Sequence, residues 1–289
     1  MTYVLLQTGL EPPTLLQLQT AFTGVPGLTD FDAANLSRDA FGVLLRSTEQ
    51  EEVFLLQFAL AAQGVNTAVI PEALLPTLPP PQVIHSVECL PDALLVHDSL
   101  GQMIPHEWDD VLLIAAGQVR VEELVRIRKR RSRRPGKKQP WLTKEETVNT
   151  LLGESSPYRV EVDESNVYVE YESKIQRSEK LLLEIITGRA ERRYSVMADK
   201  SAIPLFSFLG DRRTVNWRQN FRFIVQDLAR LAPEAAVNRG ADGIRNNGQE
   251  IFRYVSRGKF NDELVWLLWF MFNAAANPPE NPPGGEEQS

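Results

Sequence analysis

A chain of 289 residues and 32.6 kDa has room for one large domain or for two or three small ones. Its 43% hydrophobic and 24% charged residues argue against collagen-like, coiled-coil and wholly disordered architectures, and no apolar run approaches the roughly 20 residues a membrane span requires. A net charge of −7, a single cysteine and an N-terminal stretch without a basic n-region or small-residue cleavage site predict a soluble, reducing, cytoplasmic setting.

The first seventy residues read as a β-α-β-α-β module. Tyr3 to Gln7 is a short apolar strand, and Leu15, Leu16, Leu18 and Phe22 recur at helical spacing after Pro12 and Pro13. Phe41 to Leu45 reads as a second strand. Thr48 and Glu51 have capping-box spacing ahead of Val53, Phe54, Leu56 and Leu60, a helix that Gly64 can end. Val65 to Ile70 gives a third strand, so a small sheet with helices on one face is expected over residues 1–70. Five prolines in 71–81 mark an extended connector. Residues 82–118 then read as an antiparallel meander, with strands at Val83–Leu90, Ala93–His97 and Asp110–Ala115 and Gly117 closing the last.

Residues 119–140 differ in character. Glu122 and Glu123 suit a helix N-terminus, and Val121, Leu124 and Val125 make a narrow apolar stripe, so a basic helix or linker is expected. Between Arg120 and Lys138 there are ten basic and two acidic residues, a local charge of +8 that leaves −15 for the remainder of a −7 chain. Residues 141–276 read as a strand-then-helix domain. Its strands are a hairpin of Pro157–Val162 with Val167–Tyr171, then Leu181–Thr187, Arg193–Met197 and Ile203–Phe208. Helices follow around Trp217–Leu228, with Asn216 as N-cap, around Ile244–Val255, and from Asn261 through the run LVWLLWFMF. That last run is apolar all round and reads as a buried central helix. Four prolines, two glycines and three glutamates in 277–289 predict a disordered tail. The expected class is therefore α+β.

Three groups of residues could carry chemistry. Arg126, Arg128, Lys129, Arg130, Arg131, Arg133, Arg134, Lys137 and Lys138 could bind a polyanion, nucleic acid or an anionic surface, by counterion release, or a protein partner. The same run could instead be a solvated linker, or dock on the acids of residues 154–172, where six carboxylates face one arginine. His85, Cys89, His97 and His106 are zinc-preferring side chains in one stretch. However, two strand positions four residues apart lie roughly 13 Å apart, and no C-x-x-C or H-x-x-x-H spacing occurs, so no metal site is expected. Arg212, Arg213 and Arg239, beside Asp211, Asn216, Asn220, Asn238 and Asp242, could line an anion pocket; the same residues also suit caps and turns.

Residues 141–289 contain no histidine, which excludes a Ser-His or Cys-His pair built within them. No phosphate-cradling glycine loop, H-E-x-x-H, G-x-S-x-G or kinase signature occurs, so no catalytic residue and no cofactor is assigned. The resulting expectation is a binding or regulatory protein, not an enzyme, whose basic hinge contacts a polyanion or a partner. The alternative is an enzyme or small-ligand sensor with an anion pocket at Arg212, Arg213 and Arg239.

Overall fold

A computed structural model describes residues 1–39, 41–132, 160–162, 167–199, 204–248 and 250–276. The protein is α+β, with a three-stranded sheet and a nine-stranded one. Two compact units divide the chain: Met1–Arg120 together with Lys180–Ser289, and Val121–Glu179. The module, meander and C-terminal domain anticipated separately thus share one unit, and the chain leaves and re-enters it.

The small sheet has the order β2-β1-β3, from Val43–Ser47, Tyr3–Gln7 and Thr67–Pro71, and is antiparallel throughout. Helix α1 (Leu15–Phe22) begins in a full capping box, with Thr14 and Gln17 each bonding the other's main chain. A helix unanticipated from the sequence, α2 (Asp30–Asp39), follows it, and α3 (Gln50–Ala62) completes the module. Leu18, Phe22, Val53, Leu56 and Leu60 of these helices close over Leu5 and Leu44.

Val4 and Leu6 alternate to the opposite face, yet they too are fully buried. The C-terminal helix α6 (Arg257–Ala276) packs against the same sheet and accounts for that burial, so helices cover both faces and not one. Trp266 donates its indole N–H to the Gln7 carbonyl at 2.7 Å and meets Phe41 edge-on, with centroids 4.8 Å apart. Gly42, at φ +82°, allows this approach, because a Cβ there would overlap the Trp266 ring.

The large sheet runs β11-β7-β9-β10-β4-β5-β6, with β12 beside β7 and β8 beside β9. The meander β4 (Pro81–Cys89), β5 (Leu94–Asp98), β6 (Met103–His106) is antiparallel, and its third strand is not the expected Asp110–Ala115, which lies elsewhere in the sheet; β10 (Arg192–Ala198) joins the meander parallel to β4. Two short strands, β11 (Ala236–Val237) and β12 (Arg253–Tyr254), lie parallel to β7 (Val111–Ser132). Strand β9 (Val167–Thr187) sits between β7 and β10, and β8 (Val160–Val162) pairs with its start, Val160 opposite Glu170.

One face of this sheet packs on α4 (Trp217–Leu231) and on a 3-10 segment, Pro204–Arg212. Leu181, Leu183, Ile185 and Val196 meet Phe221, Ile224, Val225, Leu228, Leu205 and Phe206 there. The alternate positions Leu182, Glu184, Ile186, Arg193 and Ser195 are buried as well. Helix α5 (Arg239–Arg245) presses Gly240 onto the β7 main chain, where a Cβ would collide with the Ala116 carbonyl.

Several expectations are corrected. The helix anticipated from residue 119 is strand: β7 continues through Gly117 to Ser132, carried by the alternation of Val119, Val121, Val125 and Ile127. Gly117 does not end the strand, since its missing side chain makes room for the Tyr254 ring. The strand anticipated at 203–208 is 3-10 from Pro204, and the helix expected over 244–255 is only the short α5 followed by β12. The tail at 277–289, residues 133–159 and the turn at 163–166 lie outside the described residues. No described helix is long and apolar enough to cross a membrane.

Because Trp266 is fully buried and joins α6 to the small sheet, Trp266→Ala should cost about 3–5 kcal/mol. Denaturant unfolding measures this, and an unchanged midpoint would contradict the packing.

Candidate functional site

The basic run is carried by the far end of β7. Arg126, Arg128, Lys129, Arg130 and Arg131 fall inside this strand, while Arg133, Arg134, Lys137 and Lys138 lie outside the described residues. The flexible hinge expected here is therefore, up to Ser132, a strand hydrogen-bonded beside β9. Glu122 of β7 accepts from Arg177 of β9 at 2.8 Å, an exposed pair that ties the two strands together within the 121–179 unit.

The three arginines of the anticipated anion pocket are not brought to one open site. Arg212 grips Asp227 with both terminal nitrogens, and Arg230 adds a third contact to that carboxylate at 3.5 Å. Arg213 is exposed, and its main-chain N–H donates to the Gly210 carbonyl. Arg239 is enclosed. Its guanidinium lies over Phe41 at 4.4 Å, Phe252 at 4.3 Å and Tyr254 at 6.0 Å, and its Nε donates to Glu263 at 3.2 Å.

The accompanying amides serve as caps and braces. Asn216 accepts from Arg218 and Gln219 at the start of α4, and Asn220 ties down Thr214. Asn238 accepts from Ala241 and from Ala116 while donating to the Ala116 carbonyl, so it caps α5 and pins that helix to β7. Asp242 is bonded by Arg245 and Asn246.

Two buried ionic networks went unnoticed in the sequence. Glu184, fully buried on β9, accepts from Arg193 Nε at 2.6 Å, Arg257 at 2.9 Å and Ser195 Oγ at 3.2 Å, and Arg193 also reaches Asn261 at 2.6 Å. Glu263, equally buried on α6, accepts from the Arg239 main-chain N–H at 2.7 Å and from the Tyr254 hydroxyl at 2.8 Å. Burial, the Glu263 charge and the bond to its carboxylate hold the Tyr254 hydroxyl well above its usual pKa. A signal was available: Glu184 is the sole charge in the run Leu181–Ile186, and an uncompensated carboxylate in an apolar strand demands a cation nearby. Surrounded by their own partners, these carboxylates are not presented to a substrate.

The histidines are dispersed. His106 Nε2 lies 2.8 Å from the Tyr194 hydroxyl, with Asp110 at 3.4 Å from Nδ1, whereas His97 stacks on Phe208 and lies 3.7 Å from Glu88. Among the described residues no group of three His, Cys, Asp or Glu side chains is placed to hold a metal ion. Burial, reinforced by the Asp227 charge, pushes the Cys89 thiol up to about 12.

Comparison of the chain with protein-family models, curated proteins and solved structures finds no significant match, so no residue role comes to it from a relative.

Two outcomes follow from these networks. Removing the carboxylate in Glu184→Ala leaves buried guanidinium groups without their anion and should destabilise the fold by about 3–5 kcal/mol. Equilibrium unfolding measures the loss. Separately, the raised Cys89 value means the unfolded chain gives up this proton first. Stability is full below pH 9 and should fall between pH 9 and about 12, and iodoacetamide should alkylate the native thiol far more slowly than the urea-unfolded one. Equal alkylation rates would show that the thiol is not shielded.

Proposed function

We propose that this protein is a binding protein, not an enzyme, and that the arginine- and lysine-rich end of β7 is its contact surface for the phosphate backbone of a nucleic acid. The observation carrying this reading is the charge separation: +8 within residues 120–138 against −15 over the rest of the chain. Such a molecule can approach a polyanion productively through only one region, because its remaining surface is repelled.

The strand conformation supports the reading further. Side chains on one face of a strand recur about every 6.7 Å, so cations along β7 can neutralise successive phosphates without a helix having to form. A two-stranded antiparallel ribbon also has dimensions that a duplex groove admits. Arginine suits the task, since its planar fork engages two phosphate oxygens at once. The pocket alternative has less behind it: Arg212 and Arg239, two of its three cations, already face Asp227 and Glu263. A reducing compartment fits the single, half-buried thiol.

The test replaces Arg128, Lys129, Arg130, Arg131, Arg133 and Arg134 by alanine. Affinity for a labelled oligonucleotide, followed against salt, should fall steeply with ionic strength for the wild-type chain, and the replacement should flatten that slope by up to about 0.9 per lost phosphate contact. Retention on heparin should drop in parallel. If both are unchanged, the basic strand end is already matched by the chain's own carboxylates and the proposal fails.

A further inference from the structure

We propose that the groove between α3 and the open edge of β3 takes an extended segment of a partner protein, with apolar and basic residues alternating, as a fourth strand of the small sheet. This does not depend on the nucleic-acid reading. Helix α3 carries large apolar side chains beyond its core face, which is made by Val53, Leu56 and Leu60. Phe54, Leu55 and Phe58 remain outside, Phe58 at 79% exposure, and with Gln57 and Ala61 they line one groove that Asn66 and Thr67 complete. Single exposed apolar residues are ordinary, but three large ones sharing a groove mark a surface that another chain covers.

The edge beside the groove is ready for pairing. β3 is the terminal strand in the order β2-β1-β3. Glu72 donates to the Thr2 carbonyl and Thr8 to the Asn66 carbonyl, which places the ladder bonds between β1 and β3 at the even-numbered residues. Thr67 and Val69 therefore turn their main-chain groups outward. The Thr67 carbonyl is taken by Gln57 at 3.0 Å, leaving the two N–H groups and the Val69 carbonyl on the open edge.

Charge selects the occupant. Among the described residues Glu51 is the one ionisable group lining the groove and no lysine or arginine lines it, while Glu49 and Glu52 stand at the same end. A strand with basic residues at alternate positions meets these carboxylates with one face. In strand addition the main chain supplies affinity and alternate side chains supply selection.

The experiment selects phage-displayed random dodecamers on the immobilised full chain and measures the resulting synthetic peptides by fluorescence anisotropy. Enriched peptides should alternate apolar with basic residues, bind at least tenfold more weakly to Phe58→Ser, and lose affinity for Glu51→Lys. They should also slow amide exchange at Thr67 and Val69. Both substituted side chains are exposed, and thermal melting establishes that each variant is folded; Leu55→Ser provides a second groove variant if one is not. The proposal is overturned if no peptide is enriched, if enriched peptides are acidic or bind all variants equally, or if amide exchange at the β3 edge is unchanged. Concentration-dependent dimerisation of the wild-type chain, lost in Phe58→Ser, would overturn it in favour of self-association.

Discussion

Burying Glu184 and Glu263 is the constraint around which the main unit is organised. A carboxylate removed from water is tolerated only when cations and hydrogen-bond donors surround it, and these two have both. Their partners come from distant parts of the chain: Arg193 and Ser195 from β10, Arg257 from the start of α6, Arg239 from α5 and Tyr254 from β12. Arg257 and Arg239 meet Glu184 and Glu263 only with α6 lying against the large sheet, and in that position α6 also carries Trp266 to the small sheet. Ionic pairing thus sets the position of α6, and apolar burial along the rest of the helix supplies its stabilisation.

That arrangement explains why the N-terminal module is not an independent domain. Its sheet is closed by a helix from the opposite end of the chain through Trp266, Phe41 and the Arg46–Asp262 pair at 2.7 Å. Arg239 contributes to the same junction, since its guanidinium stacks on Phe41 from the first module and on Phe252 and Tyr254 from the last. Arg239, which looked like a ligand for an outside anion, is one of the parts that join the modules.

The two proposed contact surfaces differ in chemistry. One is cationic and strand-borne, suited to phosphates whose attraction is long-ranged and weakened by salt. The other is apolar with an acidic rim, suited to a peptide held by short-range burial and main-chain pairing. A protein with both could bring a nucleic acid and a protein partner to one molecule.

Local signals in the amino-acid order were enough for the α+β class, for the first strand, for the first two strands of the meander, for the Asn216 cap and for the central apolar helix. Each follows from side-chain periodicity or from a cap acting over a few residues. Where such signals conflicted, long-range contacts prevailed. Glu122 and Glu123 resemble a helix start, yet β7 stays extended because β9 hydrogen-bonds beside it. The fates of Arg212 and Arg239 could not be read at all, for Asp227 is 15 residues from one and Glu263 is 24 from the other. Ion pairing across such separations leaves no periodic trace in the chain, because a carboxylate and a guanidinium attract through space once packing excludes water between them. Only the folded arrangement reveals which charges have found one another.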